Sequence, residues 1–332
     1  MKALVTGANG FLGCQVVKQL LQLCPKAEIR AMVRHNSSLN ELEGLDIEIF
    51  RGSLNSPQRV KDAVDDIDTL IHMAAAMTGS PPGMFIETVV ATENLFNALD
   101  ANAIKKIVFV SSFSVYDAFG LKSGSVVDEN TPLEPHPELR DAYAWCKYWQ
   151  EKFCREKAKE MGINLITIRP GVIYGKGRSM LSHRLGERLP GLQIYLAIGK
   201  KSRLPLTYVE NCAEAVVKAC LNETIQNEVF NIVDDETPTQ KVYLKKYTKL
   251  FGRIKRKVTI PYWMYYTMCW FGELLHKQTK GNFPLVFSRY KAAMYKPFRY
   301  SNEKVKKVLD WKPKVTLDEA LQEYYQLSQK LY

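Results

Sequence analysis

The stretch Thr6-Gly7-Ala8-Asn9-Gly10-Phe11-Leu12-Gly13 decides how this chain is read. Before it runs Ala3-Leu4-Val5, an apolar stretch with strand character. After it runs Cys14 to Leu21, with apolar residues at helical spacing. The glycines therefore sit in a strand-to-helix turn. Such a turn offers bare backbone N–H groups and a helix N-terminus to a pyrophosphate, so it predicts a dinucleotide site. Gly7 allows the tight turn, Gly10 lets the phosphates approach, and Gly13 lets the helix pack closely. The spacing is G-x-x-G-x-x-G rather than the commoner G-x-G-x-x-G. A glycine triplet alone is weak evidence, because loops collect glycine. The strand before it and the helix after it make it strong.

Outward from this turn, strands and helices alternate. Glu28–Val33, Asp46–Phe50, Thr69–His72 and Ile107–Ser111 read as the second to fifth strands. Pro57–Val64 and Phe85–Asp100 read as helices between them. Leu165–Arg169 and Glu228–Val233 read as later strands. This order predicts an α/β fold, a Rossmann-type doubly wound parallel sheet with a smaller C-terminal substrate-binding lobe. The dinucleotide-binding part is expected over residues 1–175, with strands returning to the sheet near 205–235. Residues 176–332 are expected to form mainly the substrate lobe.

The 332 residues are long enough for such a sheet and lobe. With the first strand beginning at Ala3, no cleavable leader is expected, and no apolar run reaches the ~18 residues of a membrane span. Seven dispersed cysteines without a C-x-x-C pair fit a reducing cytoplasm and argue against a metal site. The net charge is +11, and residues 241–314 carry 19 Lys and Arg against 3 acids, a net +16. That excess reads as a solvated basic face, or as attraction to an anionic membrane surface or an acidic substrate. No recognised motif accompanies it, so nucleic acid is not an expected partner.

Tyr143-Ala144-Trp145-Cys146-Lys147 is the second informative stretch. A spacing of four puts Tyr143 and Lys147 on one helix face. A tyrosine is a poor base at its ordinary pKa of about 10. A neighbouring ammonium and an oxidised nicotinamide favour the tyrosinate and lower that value. Y-x-x-x-K alone is often a surface pair. Here it follows Val110-Ser111-Ser112-Phe113-Ser114-Val115-Tyr116, a serine-rich run at a strand's carboxyl end, where ligands bind in doubly wound sheets. Alone, those serines would read as a capped turn.

Taken together, these stretches resemble the extended short-chain dehydrogenases/reductases, the NAD(P)-dependent epimerase/dehydratase superfamily. Besides the two motifs above, the resemblance rests on His72-Met73-Ala74-Ala75, Ser111–Tyr116, Arg169-Pro170-Gly171-Val172-Ile173-Tyr174-Gly175 and Tyr208–Ala215. It covers nearly the whole chain. It implies Ser112, Tyr143 and Lys147 as catalytic residues. It implies cofactor contacts from Gly7, Asn9, Gly10, Phe11, Leu12 and Gly13 in the turn. Further contacts are implied from Ser53, Leu54, Ala74, Tyr143, Lys147, Pro170 and Val172. Relatives often form homodimers through the Y-x-x-x-K helix, here about Ala142–Lys159, where Trp145, Trp149 and Phe153 make a stripe.

The departures narrow the function. Gly52-Ser53-Leu54 replaces the family's G-D-L, which makes the adenine contact neutral. No acid stands at Ser112-Phe113-Ser114, so sugar-nucleotide dehydration is disfavoured. Arg203 lies one place early for the diphosphate grip of sugar-nucleotide enzymes. Leu204–Ala215 is instead similar to the 3β-hydroxysteroid dehydrogenase and sterol-4-carboxylate dehydrogenase branch. The second strand ends Met32-Val33-Arg34-His35-Asn36, without the acid that holds a ribose 2′-hydroxyl. Arg34 suits a 2′-phosphate, which favours NADP(H) over NAD(H).

The aromatic stretch Pro261 to Leu275 reads first as a buried helix lining the substrate pocket. Its other reading is an interfacial helix at a membrane surface, flanked by Lys255, Arg256, Lys257, Lys277 and Lys280. Both favour an apolar or amphipathic small-molecule substrate. The expected function is hydride transfer at a secondary alcohol or ketone of a lipid-like 3-hydroxy or 3-keto compound. The alternatives are a nucleotide-sugar 4-epimerase or 4-reductase, and a non-catalytic dinucleotide-binding regulator. The expected location is the cytoplasm; the alternative adds contact at a membrane surface through residues 255–280.

Overall fold

In a computed structural model, which describes residues 1–39, 41–178, 180–181, 184–189, 194–252, 254, 256–279 and 288–330, the first strand is Lys2–Thr6 (β1). It is followed by Glu28–Val33 (β2), Glu48–Arg51 (β3), Thr69–His72 (β4) and Lys106–Val110 (β5). With Asn164–Pro170 and Val229–Ile232 they make a seven-stranded sheet, all pairs parallel. The order is Val229–Ile232, Asn164–Pro170, β5, β4, β1, β2, β3. The chain reverses its direction of travel across the sheet at β1. The crevice at the carboxyl ends of β1 and β4 is therefore where a ligand is expected.

The strands are apolar because both sheet faces are covered. Ala3, Leu4 and Val5 have no exposed surface. Helices Phe11–Leu23 and Val209–Leu221 cover one face through Val16, Val17, Leu20, Ala213 and Val216. Helices Pro57–Val64, Ala91–Asn97 and Ala142–Met161 cover the other through Val60, Leu95, Phe96, Cys154 and Ala158. Trp311, near the C-terminus, is fully buried against the first group and donates its Nε1–H to Asn211 O at 2.9 Å.

Several elements differ from their expected bounds. β3 begins two residues later than Asp46, because Asp46 and Ile47 belong to the turn that brings Glu48 opposite Arg30. The helical run expected from Phe85 to Asp100 is three pieces: Pro81–Phe85, a π-helical turn at Ile86–Val90, and Ala91–Asn97. The C-terminal half adds a three-stranded sheet of Lys257–Ile260, Ile194–Ile198 and Gly186–Leu189. Two of the three stripe residues on the Y-x-x-x-K helix pack inward: Trp145 stacks on Phe85 with centroids 4.9 Å apart, and Phe153 meets Phe96 edge-on. Trp149 is exposed.

The aromatic helix, Tyr262–Gln278, corrects the reading of a buried pocket wall. Only Tyr265, Cys269 and Gly272 are buried, and none of its residues lines the main cavity. Trp263 is 65 % exposed and Phe271 57 %. Periodicity identified the helix but not which side faced the body. Lys255 and Lys280 lie outside the described residues.

One buried ion pair pins helix to sheet. Glu151 faces the sheet from Ala142–Met161 and accepts from Arg169 Nε at 3.1 Å, from Arg169 Nη2, and from Ser111 Oγ at 2.5 Å. Arg155 adds a hydrogen bond from outside at 2.5 Å. Arg169 Nη1 donates to Tyr116 Oη at 3.0 Å, and Tyr116 donates onward to Asn231 Oδ1 at 2.6 Å. These bonds hold the Glu151 carboxyl below the usual range even though burial alone would raise it. A carboxylate with a depressed pKa stabilises the fold above its unfolded pKa and loses that effect as pH falls through the folded value. Glu151→Gln is therefore expected to cost about 3–5 kcal/mol at neutral pH. Thermal unfolding from pH 7 downward checks this: the gap to wild type should narrow below about pH 4. A gap that ignores pH would show that the charge is not what stabilises.

Candidate active site

The glycine turn closes against β4. Gly7 has φ +72°, and a Cβ there would sit 3.1 Å from Ala74 N. A Cβ on Gly13 would come within 2.1 Å of Gly7 O. Any side chain would fill this cradle, which explains the glycines better than flexibility does. Helix Phe11–Leu23 starts at Gly10, with no side-chain cap and no acid in its first turn. Its first N–H groups thus face the cavity with their positive end uncompensated, as a pyrophosphate requires.

All of the proposed cofactor and catalytic residues border one cavity of about 880 Å³. Arg34, Ser53 and Leu54 stand on the β2–β3 side. Arg34 is exposed at the end of β2, and Ser53 Oγ accepts from Asn55 N at 3.1 Å. Asn9 Nδ2 reaches across to Ser38 O at 3.4 Å. Pro170 and Val172 close the far side, where Val172 N donates to Pro205 O at 2.6 Å. A nicotinamide dinucleotide fits this donor set. Gly7 to Gly13 and the helix end would hold its pyrophosphate, and Lys147 and Tyr143 would hold the nicotinamide ribose.

Helix Ala142–Met161 starts where Asp141 accepts from Ala144 N at 3.1 Å and ends at Gly162, which is left-handed at φ +68°. Its first turn places Tyr143 on the same cavity wall as Ser112 at the end of β5, close enough for the serine hydroxyl to act on the tyrosine's pKa. Ser112 Oγ accepts from Ser114 N at 3.1 Å, which fixes its rotamer. Burial pushes the Tyr143 hydroxyl above its ordinary pKa, while the Ser112 hydroxyl and the Arg178 charge oppose that rise. Lys147, expected to lower it, is turned to other partners. Its ammonium donates to Val110 O at 2.7 Å and to Gln150 Oε1 at 2.5 Å. Burial brings the Lys147 pKa down to about 8.

Gln150 was not picked out in the sequence, although its spacing of seven from Tyr143 puts it on the same face. Its Nε2 donates to Ala74 O at 3.0 Å and Thr92 Oγ1 at 2.9 Å, and lies 3.2 Å from His72 Nε2. His72 Nδ1 meets Thr6 Oγ1 at 2.7 Å. A sealed polar chain therefore runs from Lys147 under the site to Thr6, just before Gly7. Desolvation takes the His72 pKa down to about 3, so it stays neutral. Arg178 was also missed. It borders the cavity, its guanidinium 5.3 Å from the Phe11 ring centroid.

Residues 3–233 match the NAD dependent epimerase/dehydratase family, and the chain belongs to that family. It is similar to the decarboxylating sterol-4-alpha-carboxylate 3-dehydrogenase of Candida albicans, at 25 % identity over 96 % of this chain and 95 % of that one. It is also similar to the 2-alkyl-3-oxoalkanoate reductase of Shewanella oneidensis, at 29 % identity over 71 % of this chain and 62 % of that one. Among solved structures, the UDP-glucuronic acid 4-epimerase of Bacillus cereus in complex with NAD matches 100 % of this chain and 98 % of its own, with TM-score 0.75 and 22 % identity. The protein is thus an extended short-chain dehydrogenase/reductase, an NAD(P)-dependent oxidoreductase acting on CH–OH groups.

Proposed function

We propose that the enzyme interconverts a secondary alcohol and a ketone in a lipid-like 3-hydroxy or 3-oxo compound. The observation that carries this reading is that Ser112, Tyr143 and Lys147 border one cavity whose wall also carries Phe113, Met180, Leu181, Leu206 and Met294. The two curated relatives support it, since both names describe a three-position alcohol or ketone beside a carboxyl-bearing carbon.

The bound nicotinamide supplies the hydride acceptor or donor. Ser112 orients the substrate oxygen by hydrogen bonding. Tyr143 takes the hydroxyl proton as the carbinol is oxidised, and returns it in the reverse direction. Lys147, fixed by Val110 O and Gln150, keeps a third N–H for the ribose and adds positive charge below it. Tyr143→Phe should lower kcat by about 10²–10⁴-fold while NAD(P)H affinity falls no more than about 10-fold, the loss of one ribose hydrogen bond. Unchanged turnover in the variant would remove Tyr143 from the chemistry. Isomerisation of a nucleotide sugar without net reduction of the cofactor would favour the epimerase reading instead.

We also propose a preference for NADP(H). Its support is Arg34, exposed on the cavity rim where β2 ends without an acid. Fluorescence titration of Arg34→Ala should show NADPH affinity reduced by about 10- to 100-fold and NADH affinity unchanged. Equal loss for both cofactors would sink the preference.

For its surroundings, we propose that helix Tyr262–Gln278 lies on an anionic bilayer. No helix among the described residues is long and apolar enough to cross one. Trp263, Trp270, Phe271 and Leu274 instead share an outward face about 100° wide by helical geometry, and all are exposed. The net +16 of residues 241–314 complements anionic headgroups. The protein should co-sediment with vesicles containing phosphatidylserine more than with pure phosphatidylcholine, and lose this in W270E/F271E. Equal recovery with both vesicles, or a dimer abolished by the same substitutions, would overturn it.

A further inference from the structure

Four arginines border the cavity. Arg34 stands on the cofactor rim, and two of the other three are occupied. Arg140 Nη1 donates to Glu134 Oε2 at 3.2 Å and to Tyr116 O at 3.3 Å. Arg184 donates to Met294 O at 2.8 Å and to Tyr300 Oη at 3.3 Å. Arg178 has neither an ion pair nor a hydrogen bond among the described residues, and it is half-buried over the Phe11 ring. A cation in that position has lost hydration without a compensating anion. A second polar group of the cavity is also without a partner: Ser114 Oγ is enclosed and has no hydrogen-bond partner among the described residues. Met180, Leu181 and Met294 add hydrocarbon to the cavity wall.

Resting on the reading of a lipid-like 3-hydroxy or 3-oxo substrate, we propose that Arg178, with Ser114, binds the substrate's carboxylate and makes the enzyme selective for an amphipathic acid. A carboxylate fits the planar guanidinium and accepts the serine hydroxyl. Its chain then lies against the methionines and Leu181, and its carbinol reaches Tyr143. In the oxidative step the carbinol C–H bond breaks and its hydride passes to the nicotinamide. The hydroxyl proton passes to Tyr143, and the carboxylate is unchanged. Arg178 is a specificity-determining residue, and no proton moves through it.

The same guanidinium stands near the glycine turn through Phe11, so a cofactor phosphate is the rival anion. The test separates the two. With wild-type enzyme and NADP⁺ or NAD⁺, kcat/KM for 3-hydroxydecanoate should exceed that for its methyl ester. In Arg178→Gln this ratio should fall by about 10- to 100-fold, with most of the change in the acid's KM. Arg178→Lys should recover part of it, and cofactor titration should be unaltered. An equal loss for acid and ester with weakened cofactor binding would assign Arg178 to the cofactor and overturn the proposal. So would a wild-type enzyme indifferent to the acid. Binding of decanoate to the cofactor-loaded protein, read as a thermal shift against decanol, needs no turnover. A shift that Arg178→Gln abolishes supports the acid site even if no alcohol is oxidised and the functional reading fails. No shift in wild type overturns the site.

Discussion

A charge pair sealed between helix and sheet sets the register of this active site. Glu151 and Arg169 would each be costly to bury alone; together, with Ser111, Tyr116 and Asn231, nearly every donor and acceptor is used. The bonds reach the end of β5, the strand Asn164–Pro170 and the strand Val229–Ile232, three neighbours in the sheet. Apolar packing alone tolerates small slides of a helix along a sheet. Paired, directional bonds do not. Because Tyr143, Lys147 and Glu151 recur every four residues on one face, fixing Glu151 also fixes where the other two stand.

The second constraint runs beneath the cofactor cradle. Lys147, Gln150, His72, Thr92 and Thr6 form a polar chain with no exposed member among its charged or ring groups. His72 is kept neutral by burial and by the Lys147 charge, so it carries hydrogen bonds without adding a second cation. The positive charge under the site is thereby confined to Lys147. The chain also ties the catalytic helix to Thr6, the last residue of β1 before the glycine turn. A change in the turn is felt by the lysine through side-chain bonds as well as through the backbone.

What could be read from the sequence follows from the range of the forces involved. The glycine turn was legible because its constraint is local: a Cβ at Gly13 collides with Gly7 O, six residues away. The sheet was legible because parallel strands buried on both faces must be apolar runs. Tyr143 and Lys147 were legible through helical spacing. Gln150 and Arg178 were not, because their meaning depends on partners brought close only by the fold. The three-stranded sheet around Ile194–Ile198 was missed because its strands are short and one, Lys257–Ile260, carries an exposed lysine and valine. The helix Tyr262–Gln278 was legible as a helix, but its aromatic residues surround it on most sides. Pattern alone could not tell its buried side from its exposed one.

That exposed side bears on how a substrate arrives. Met294 belongs both to the cavity wall and to the cluster that seats helix Tyr262–Gln278, alongside Tyr265, Cys269 and Tyr295. Met294 thus joins the packing of the helix to the cavity wall. An acid with a long hydrocarbon chain is held at a bilayer surface by that chain, with its carboxylate among the headgroups. An enzyme resting there on Trp263, Trp270 and Phe271 meets such a molecule where it is concentrated. The apolar wall of Met180, Leu181 and Met294 then replaces the acyl environment that the chain leaves. In the proposed binding mode, Arg178 would replace the hydration of its acid. Transfer from bilayer to cavity under these conditions exchanges like for like at both ends of the molecule, so the binding free energy is left to the alignment of the carbinol with Ser112 and Tyr143.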